Sequence, residues 1–319
     1  MPFETIKNCM KRSDTSKLVH SAYYLLLGRD PDPEGYAHWT SRIKSGMNRD
    51  EFISAIIQSD EFKKSAPAWS NSDLWRKCQI LNAEICLNLS IGKFCGPAVD
   101  DSVFASILEQ NGAYEPHVAA EITRLLKPGE TFIDIGANLG YFTLIASQLV
   151  GPSGKVLSFE PVPMSFDYLQ KNVKLNNLYN VKLYKNGLWN KNTVLTITDS
   201  DNIGYNHIAE NGIEVECIYL DSLQLRPNLI KMDIEGAEPY ALQGMIETLE
   251  RHHPTIVMEV NRFCLRTFIK KDAIDIWEPL HDQGYEMAVI PSGQKIESIE
   301  QLNALCPEHG LIDIRAEMA

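Results

Sequence analysis

Three charged residues at alternate positions mark the end of an apolar stretch near residue 230. Lys231, Asp233 and Glu235 share one face if this stretch is a β-strand, because successive side chains of a strand point to opposite sides. Glu259 and Asn261 follow the next apolar stretch. Ligands of open parallel sheets bind outside the carboxyl ends of the strands, so we expect these side chains to meet at one edge. Charges that merely reach water are the alternative, which the strongly apolar flanking strands disfavour.

A turn rich in small residues follows an earlier apolar strand, predicted at 131–135. Gly136, Asn138 and Gly140 recur at intervals of two, whereas dinucleotide-binding loops end on an interval of three. Asp134 lies within the strand end, where it would repel a pyrophosphate but attract an ammonium or sulfonium group. The loop therefore predicts a cationic adenosyl cofactor rather than NAD.

Two further strand ends carry candidate contacts to that cofactor. Glu160 comes twenty residues after Gly140, and its carboxylate can accept hydrogen bonds from two ribose hydroxyls. A solvated acid is the alternative for Glu160. Asn186 and Gly187 end the next strand, where the adenine edge would lie, but an ordinary Asn-Gly turn explains them equally well.

Taken together, these segments resemble the FkbM family of S-adenosylmethionine (SAM)-dependent methyltransferases. The resemblance spans roughly residues 90–316 and is carried by 112–116 (GAYEP), 134–141 (DIGANLGY), 159–163 (FEPVP), Asn172, Asn176, Asn177, 231–238 (KMDIEGAE), Leu242, Gly244 and 258–259. It implies an α/β fold, the Rossmann-like seven-stranded sheet of class I methyltransferases, and O-methyl transfer, often to hydroxyls of sugars or polyketide-like molecules. Gly187 departs from the family, which usually has Ala there, and 199–211 diverges, which affects the substrate most.

The resemblance also implies which residues hold SAM. They are Glu115, Asp134, Gly136, Asn138, Gly140, Tyr141, Phe142, Thr143, Glu160, Pro161, Asn186 and Gly187. Because the methyl group of SAM is already activated, the protein must align the acceptor oxygen and remove its proton.

The strand-end charges supply candidates for that proton transfer. We expect Asp233 or Glu235 to be the base, helped by partial burial that raises its pKa, and Lys231 to orient the acceptor or the neighbouring carboxylate. In many such enzymes the residue at the position of Asp233 contacts the amino group of the cofactor instead. Substrate contacts are predicted for Glu259, Asn261 and His207, although His207 also suits a plain polar loop.

A metal is the less favoured prediction at this edge. The acids at 233, 235, 238 and 259 have the oxygen ligands that Mg²⁺ prefers. No histidine or fixed ligand spacing accompanies them, so we predict no metal.

From residue 117 onward, short apolar strands alternate with amphipathic helices, as in a parallel sheet with crossover helices. Strands are predicted at 131–135, 155–159, 181–185, 229–233, 255–259, 285–290 and 311–316. Helices are predicted at 139–149, 163–176, 236–249 and 272–283. The polar stretch 190–222 predicts an inserted hairpin, 193–198 with 215–220.

The residues before this domain predict a small all-α module. Helical patterns cover 16–64, with Asp32 and Asn48 placed to cap the second and third helices. This segment resembles a short bacterial module of unknown function, similar to phycobilisome linker repeats and found beside surface-polysaccharide and secreted proteins. Its stripe of Tyr36, Trp39 and Ile43 predicts a core, and protein docking through 16–64 is the alternative. We predict domains at 1–68 and 117–319, joined by a connector at 69–116 with a helix near 73–89 and a Gly/Pro-broken stretch after it.

Composition limits the location and partners of the chain. Its 319 residues, 44% hydrophobic and 23% charged, are those of a soluble globular protein with roughly two domains. The net charge of −12 disfavours nucleic acid and anionic lipid as partners. We predict neither a membrane span nor a signal peptide. The seven cysteines form no Cys-x-x-Cys pair, so we expect reduced thiols, no zinc or disulfide, and a cytoplasmic location.

Three functions therefore stay open. The favoured one is O-methylation of a sugar hydroxyl, in a surface glycan or its precursor, with a polyketide- or peptide-like small molecule as the alternative acceptor. A non-catalytic scaffold that binds an adenosine ligand is disfavoured by Glu160 and the Lys231, Asp233, Glu235 set. An NAD-dependent oxidoreductase is disfavoured by the loop spacing and by Asp134.

Overall fold

A computed structural model describes residues 14–27, 29–65, 79–81, 84–97, 103, 106–107, 110, 112–198 and 206–318. The chain forms two compact units, which we call unit 1 (Met1–Tyr114) and unit 2 (Glu115–Ala319). Among the described residues, no helix has both the length and the apolar character needed to cross a bilayer.

Unit 1 begins with helices whose ends follow local sequence signals. They are α1 (Asp14–Leu27), α2 (Pro33–Lys44), α3 (Arg49–Gln58) and α4 (Asp60–Ser65). Asp32 caps α2 by accepting a 2.8 Å hydrogen bond from the Gly35 amide, and Asn48 forms a capping box with Glu51 at the start of α3. Both predicted caps are confirmed.

The aromatic stripe of α2 packs inward. Trp39 lies edge-on to the buried Phe52 at 5.2 Å, and its indole nitrogen donates to the Tyr23 hydroxyl at 3.0 Å. Tyr36 and Ile43 pack on the same cluster. The half-buried stripe therefore packs against the core of the helices, while docking of a partner through 16–64 stays a prediction.

A small β-sheet is found where the sequence predicts a helix at 73–89, of which 73–78 and 82–83 lie outside the described residues. Strands β1 (Gln79–Leu81), β2 (Glu84–Leu89) and β3 (Gly92–Pro97) form an antiparallel sheet. Leu87 and Phe94 are buried opposite each other, and Asn88 beside Leu87 is exposed. This period of two belongs to a strand, so the helix prediction was wrong over 79–81 and 84–89. Gly92 at φ +115° closes the turn between β2 and β3.

The same hairpin corrects the cysteine prediction. Cys86 and Cys95 are direct partners across β2 and β3 and form a disulfide, with their Cα atoms 4.1 Å apart. The spacing argument failed because hairpin register, rather than a short motif, brings these residues together. Cys217, Cys264 and Cys306 are buried free thiols.

Unit 2 contains a large mixed sheet and a smaller one. The strands after β3 are β4 (Thr131–Ile135), β5 (Lys155–Phe159), β6 (Val181–Tyr184), β7 (Gly187–Leu188), β8 (Thr193–Ile197), β9 (Ile213–Ile218), β10 (Leu229–Met232), β11 (Thr255–Asn261), β12 (Tyr285–Val289), β13 (Lys295–Ile296) and β14 (Leu311–Met318). In the described part of the chain the large sheet has the order β13-β12-β14-β11-β10-β4-β5-β6, with β14 antiparallel to both its neighbours. This is the predicted seven-stranded α/β sheet with the two-residue β13 added at one edge.

Helices cover both faces of this sheet. They are α5 (Pro116–Leu125), α6 (Tyr141–Val150), α7 (Pro163–Leu175), α8 (Glu238–Gln243), α9 (Ile246–His252), α10 (Arg262–Cys264), α11 (Ile274–Asp282) and α12 (Ile299–Leu305), with a π-helical turn at Leu265–Ile269. The helix predicted at 236–249 is interrupted at Gly244, where a Cβ would lie 2.0 Å from the Trp189 carbonyl oxygen. That close approach requires a glycine, and it ends α8.

The predicted inserted hairpin is confirmed. Strands β8 and β9 pair antiparallel, and β7 joins β9 in parallel. Their apolar side chains form a separate cluster that includes Trp189, Val215 and Cys217. The insertion thus has its own core beside the large sheet.

Candidate active site

Charged side chains from neighbouring strands share one face of the large sheet. Asp134 of β4 is the direct partner of Lys231 of β10, which in turn is the partner of Val257 of β11. Two residues beyond Val257, Glu259 is the partner of Asp313 of β14. Because alternate residues of a strand face the same way, these charges line one surface towards the carboxyl ends of β4, β10 and β11.

Asp134 is fully buried at the centre of this surface. Its Oδ2 accepts a 2.6 Å hydrogen bond from the Thr143 hydroxyl, which also lies 2.8 Å from the Ser158 hydroxyl. Its Oδ1 has no hydrogen-bond partner among the described residues. Burial raises the pKa of Asp134, and the nearby charge of Lys231 opposes that effect.

The side chain of Glu160 is hydrogen-bonded to the loop that follows β4. Its Oε2 accepts from the Asn138 amide at 2.8 Å and its Oε1 from the Val162 amide at 2.9 Å. Burial is the main reason that the pKa of Glu160 rises to about 7, and the charge of Asp134 adds to it. Asn138 has φ +49°, and its buried Oδ1 has no partner among the described residues.

The two glycines of this loop allow neighbouring segments to pack closely against it. A Cβ on Gly136 would lie 1.9 Å from the Asp233 carbonyl oxygen, and one on Gly140 would lie 2.6 Å from Leu169. Both glycines have positive φ. Close contact between the loop, the end of β10 and α7 therefore requires glycine at both positions, and the approach of a ligand to them stays a prediction.

Lys231 is buried among opposite charges. Its Nζ lies 3.2 Å from Asp233 Oδ2 and 5.1 Å from the centre of the Phe142 ring. Burial alone would lower the pKa of Lys231, but Asp233, Asp134 and Glu115 outweigh it and raise the pKa. Lys231 therefore stays charged and ties the end of β10 to the neighbouring acids.

Glu235 lies in the turn just after β10. Its φ is +51°, and its Oε2 accepts from the Cys264 thiol at 3.2 Å. Burial, and then the charge of Asp233, raise the pKa of Glu235 to about 8. A carboxyl group with that pKa can take up or release a proton near neutrality.

Glu238 shapes the same turn from the start of α8. Its Oε1 accepts from the Ile234 amide at 3.1 Å and the Gly236 amide at 3.3 Å. Its buried Oε2 has no partner among the described residues, and burial raises its pKa to about 7. Sequence analysis considered Glu238 only as a metal ligand, whereas these bonds show it holding the turn that carries Glu235.

Glu259 and Asn261 form a second pair at the end of β11. The Asn261 amide nitrogen Nδ2 donates to Glu259 Oε1 at 3.1 Å, and Asn261 Oδ1 accepts from the Cys264 amide at 3.2 Å. Burial, followed by the charges of Asp233 and Glu235, raises the pKa of Glu259 to about 9. Asn261 thereby links Glu259 to the residue that contacts Glu235.

The pair His117 and Asp313 was missed by sequence analysis. His117 Nε2 lies 2.6 Å from Asp313 Oδ2, and the two residues are 196 positions apart. Burial raises the pKa of Asp313. The one sequence signal was the position of His117 on α5, directly after the motif residues Glu115 and Pro116.

Comparison with known proteins identifies the domain that carries this site. Residues 134–287 match the methyltransferase FkbM domain, and residues 5–66 match a domain of unknown function, DUF4214. The chain is 38% identical over 212 residues to methyltransferase sdnD of Sordaria araneosa, covering 50% of this chain and 75% of that protein. This chain belongs to the FkbM methyltransferase family.

Two further similarities are with a second curated methyltransferase and with a solved FkbM structure. The methyltransferase is 31% identical over 149 residues to methyltransferase 1 of Beauveria bassiana, which covers 37% of this chain and 59% of that relative's length. A solved FkbM methyltransferase from Methylobacillus flagellatus is 16% identical, with a TM-score of 0.40 over 67% of this chain and 53% of that chain.

SAM is the cofactor of this FkbM methyltransferase, and the hydrogen-bond acceptors around the loop after β4 fit it. Around the loop after β4, buried Asp134 Oδ1 and Asn138 Oδ1 lack partners among the described residues, and each oxygen of Glu160 has room for a further hydrogen bond. When bound, SAM supplies a methyl group activated by a sulfonium. No group of three or more His, Cys, Asp or Glu side chains in the described ranges is arranged to hold a metal ion.

The remaining predicted site residues of the methyltransferase surround this centre. Tyr141 and Phe142 are buried in the first turn of α6, with ring centres 5.5 Å apart. Glu115 precedes α5 with φ +41°. Gly187 starts β7, where a Cβ would lie 3.8 Å from Pro161, and Asn186 is half-buried just before it.

His207 packs against an aromatic side chain of unit 2. Its ring stacks on Phe268 at 3.5 Å, in the π-helical turn after α10, and its amide donates to the Thr198 hydroxyl at 3.2 Å. The structure therefore places it in an aromatic group beside the acids.

Proposed function

We propose that this FkbM methyltransferase transfers the methyl group of SAM to a hydroxyl of a sugar, in a surface glycan or its precursor. The observation that carries the proposal is the pair of half-buried carboxyl groups at the ends of β10 and β11, Glu235 and Glu259, whose pKa values of about 8 and 9 allow them to exchange a proton with a hydroxyl near neutrality. They lie at the sheet edge that Asp134 shares.

The cofactor side of the proposal rests on three residues. Glu160 accepts the two ribose hydroxyls on the oxygens that already bind the Asn138 and Val162 amides. The unpartnered oxygens of Asp134 and Asn138 accept donors from the rest of SAM. The first turn of α6, with Tyr141, Phe142 and Thr143, completes the wall.

The acceptor side rests on the acids after β10 and β11. Glu235 removes the hydroxyl proton, because a base works best when its pKa is close to the working pH. The Lys231–Asp233 ion pair orients the acceptor beside it, and Glu259 with Asn261 binds a neighbouring hydroxyl. Each of these groups accepts or donates hydrogen bonds, which suits a polyhydroxylated acceptor.

The sugar preference has two supports. The N-terminal segment matches a module that the sequence resemblance associates with surface-polysaccharide proteins. The net charge of −12 also disfavours nucleic-acid acceptors.

The decisive experiment measures methyl transfer from labelled SAM to saccharides, polyketide-like phenols and hydroxylated peptides, with the Glu235→Gln variant as the control. Methylation of a saccharide that disappears in the variant supports the proposal. Transfer only to phenols or peptides contradicts the sugar assignment. Binding of S-adenosylhomocysteine (SAH) without transfer to any acceptor favours the scaffold function instead.

We also propose a cytoplasmic location, supported by the buried free thiols of unit 2 at Cys217, Cys264 and Cys306. The Cys86–Cys95 disulfide argues the other way, because disulfides persist mainly in oxidising compartments. Alkylation of thiols in acid-quenched cells, followed by peptide mass spectrometry, tests the proposal. Alkylation of Cys86 and Cys95 supports a cytoplasmic location. A fully oxidised pair contradicts that location.

A further inference from the structure

Four aromatic rings gather at the carboxyl-end edge of the large sheet, outside the acids already described. We call His207, Phe263, Phe268 and His309 the aromatic platform. His207 stacks on Phe268 at 3.5 Å, while Phe263 lies 6.0 Å from Phe268 and 6.1 Å from His309. Three separate chain segments supply these rings, so the fold rather than local sequence assembles the platform.

The platform is attached directly to the acidic edge. Phe263 lies between Arg262, whose amide donates to the Gly310 carbonyl, and Cys264, whose thiol donates to Glu235. A Cβ on Gly236 would lie 3.0 Å from the Cys264 carbonyl carbon, so α10 packs tightly on the turn that holds Glu235. Phe263 is therefore the chain neighbour of the residue that contacts Glu235.

Exposure distinguishes these rings from a core. Phe263 leaves 45% of its surface accessible, and His309 is also exposed. An exposed apolar ring on the same segment as contacts to half-buried carboxyl groups is a combination that binding sites use, with apolar walls and a few polar groups that fix orientation.

We infer that the aromatic platform binds the ring of a pyranose in the acceptor, so that its hydroxyls reach Glu259, Asn261 and Glu235. The negative face of an aromatic ring attracts the C–H groups on one side of a pyranose. The hydroxyls at the edge of the same sugar find carboxyl and amide partners. An extended acyl chain would use the rings but leave these polar groups unmatched. This inference rests on the proposed function, because it names the acceptor class of the same site.

The test compares matched variants on the full-length enzyme. Phe263→Leu and Phe268→Leu keep apolar bulk but remove the ring, and Phe263→Tyr keeps the ring. Tyr179→Leu is the control, because Tyr179 is 92% exposed and lies just before the amino end of β6, whereas the platform lies at the carboxyl ends of the strands. The acceptors are methyl pyranosides and acyclic alditols with equal numbers of hydroxyls, and SAH affinity and thermal unfolding report an intact fold.

We expect the leucine variants to raise the KM for a pyranoside by about 10-fold at nearly constant kcat, and to leave the KM for alditols and SAH affinity unchanged. His207→Phe should keep wild-type KM, because stacking rather than the imidazole nitrogens is used, whereas His207→Ala should raise it. Leucine variants with the wild-type KM for a methylated pyranoside would overturn the platform while the proposed function stands. A wild-type enzyme that methylates no pyranoside contradicts the proposed function itself, and that result is obtained before any variant is compared.

Discussion

Glu259 and Asp313 face each other as direct partners across the antiparallel strands β11 and β14. Partial burial, and then the charge of Asp233, raise the pKa of both acids, and the charge of Glu235 adds to the effect at Glu259. His117 contacts Asp313 but not Glu259 in the described contacts, so Glu259 depends on Asn261 for its hydrogen bond. The acid cluster therefore carries a stability cost that varies with pH.

Replacement of Glu259 by glutamine should make that cost visible. The folded pKa is about 9, above the ordinary value of 4.5, so the folded state binds more protons across this window and stability falls as the pH rises through it. Glutamine does not titrate. The Glu259→Gln variant should have the melting temperature of the wild type at pH 5. At pH 9 its melting temperature should be higher by about 2–4 °C for each kcal/mol of destabilisation that the substitution removes. Calorimetry at both pH values measures this, with the exposed Glu278→Gln as the control. Equal melting temperatures at pH 9 would show that Glu259 ionises freely.

Cofactor binding should depend on the carboxylate form of Glu160. Its pKa is about 7, and ribose hydroxyls donate only to the charged form with full strength. SAH affinity of the wild type should therefore fall by up to about 10-fold per pH unit below pH 7. Glu160→Gln should bind about 10–100-fold more weakly at pH 8 and show a flatter pH dependence. Isothermal calorimetry measures SAH affinity and its pH dependence in the wild type and in Glu160→Gln, with a variant at an exposed acid, Asp167→Asn, as the control. Wild-type affinity in Glu160→Gln would contradict the ribose assignment.

The parts of the fold that sequence could predict depend on local signals. The caps Asp32 and Asn48 act on amides three residues away, and short apolar stretches locate β4, β5 and β10 without knowledge of their neighbours. Because parallel strands end at one edge, Lys231, Asp233 and Glu259 could be placed together before any coordinates.

The rest depended on contacts between distant residues. The Cys86–Cys95 pair needs the register of a hairpin that we had predicted as a helix. His117 and Asp313 meet because β14 turns back beside β11, and Phe268 meets His207 because the insertion folds over the edge. No local pattern of residue types records such pairings.

Alanine at Gly136 should break the junction between the cofactor loop and β10. Its Cβ would lie 1.9 Å from the Asp233 carbonyl oxygen, and its φ is +77°. Gly293→Ala is the matched control, because φ is +70° there and nothing lies within 4 Å of the added carbon. We expect about 1 kcal/mol of destabilisation in the control and about 3 kcal/mol or more in Gly136→Ala, with loss of SAH binding. Urea unfolding and calorimetry measure the two effects. Equal destabilisation in both variants would mean that backbone conformation alone requires Gly136.

Turnover should rise with pH and level off above about pH 8, because the base must lose its proton before it accepts one from the hydroxyl. Glu235→Gln should lower kcat by about 100-fold or more and abolish the rise, with SAH affinity unchanged. Asp233→Asn should instead move the midpoint to lower pH, because the charge of Asp233 helps to raise the pKa of Glu235. Steady-state kinetics from pH 6 to 9.5 on a methylated acceptor separates these outcomes, with the exposed Glu247→Gln as the control. If Asp233→Asn abolishes the rise and Glu235→Gln retains it, Asp233 is the base and Glu235 only positions its surroundings.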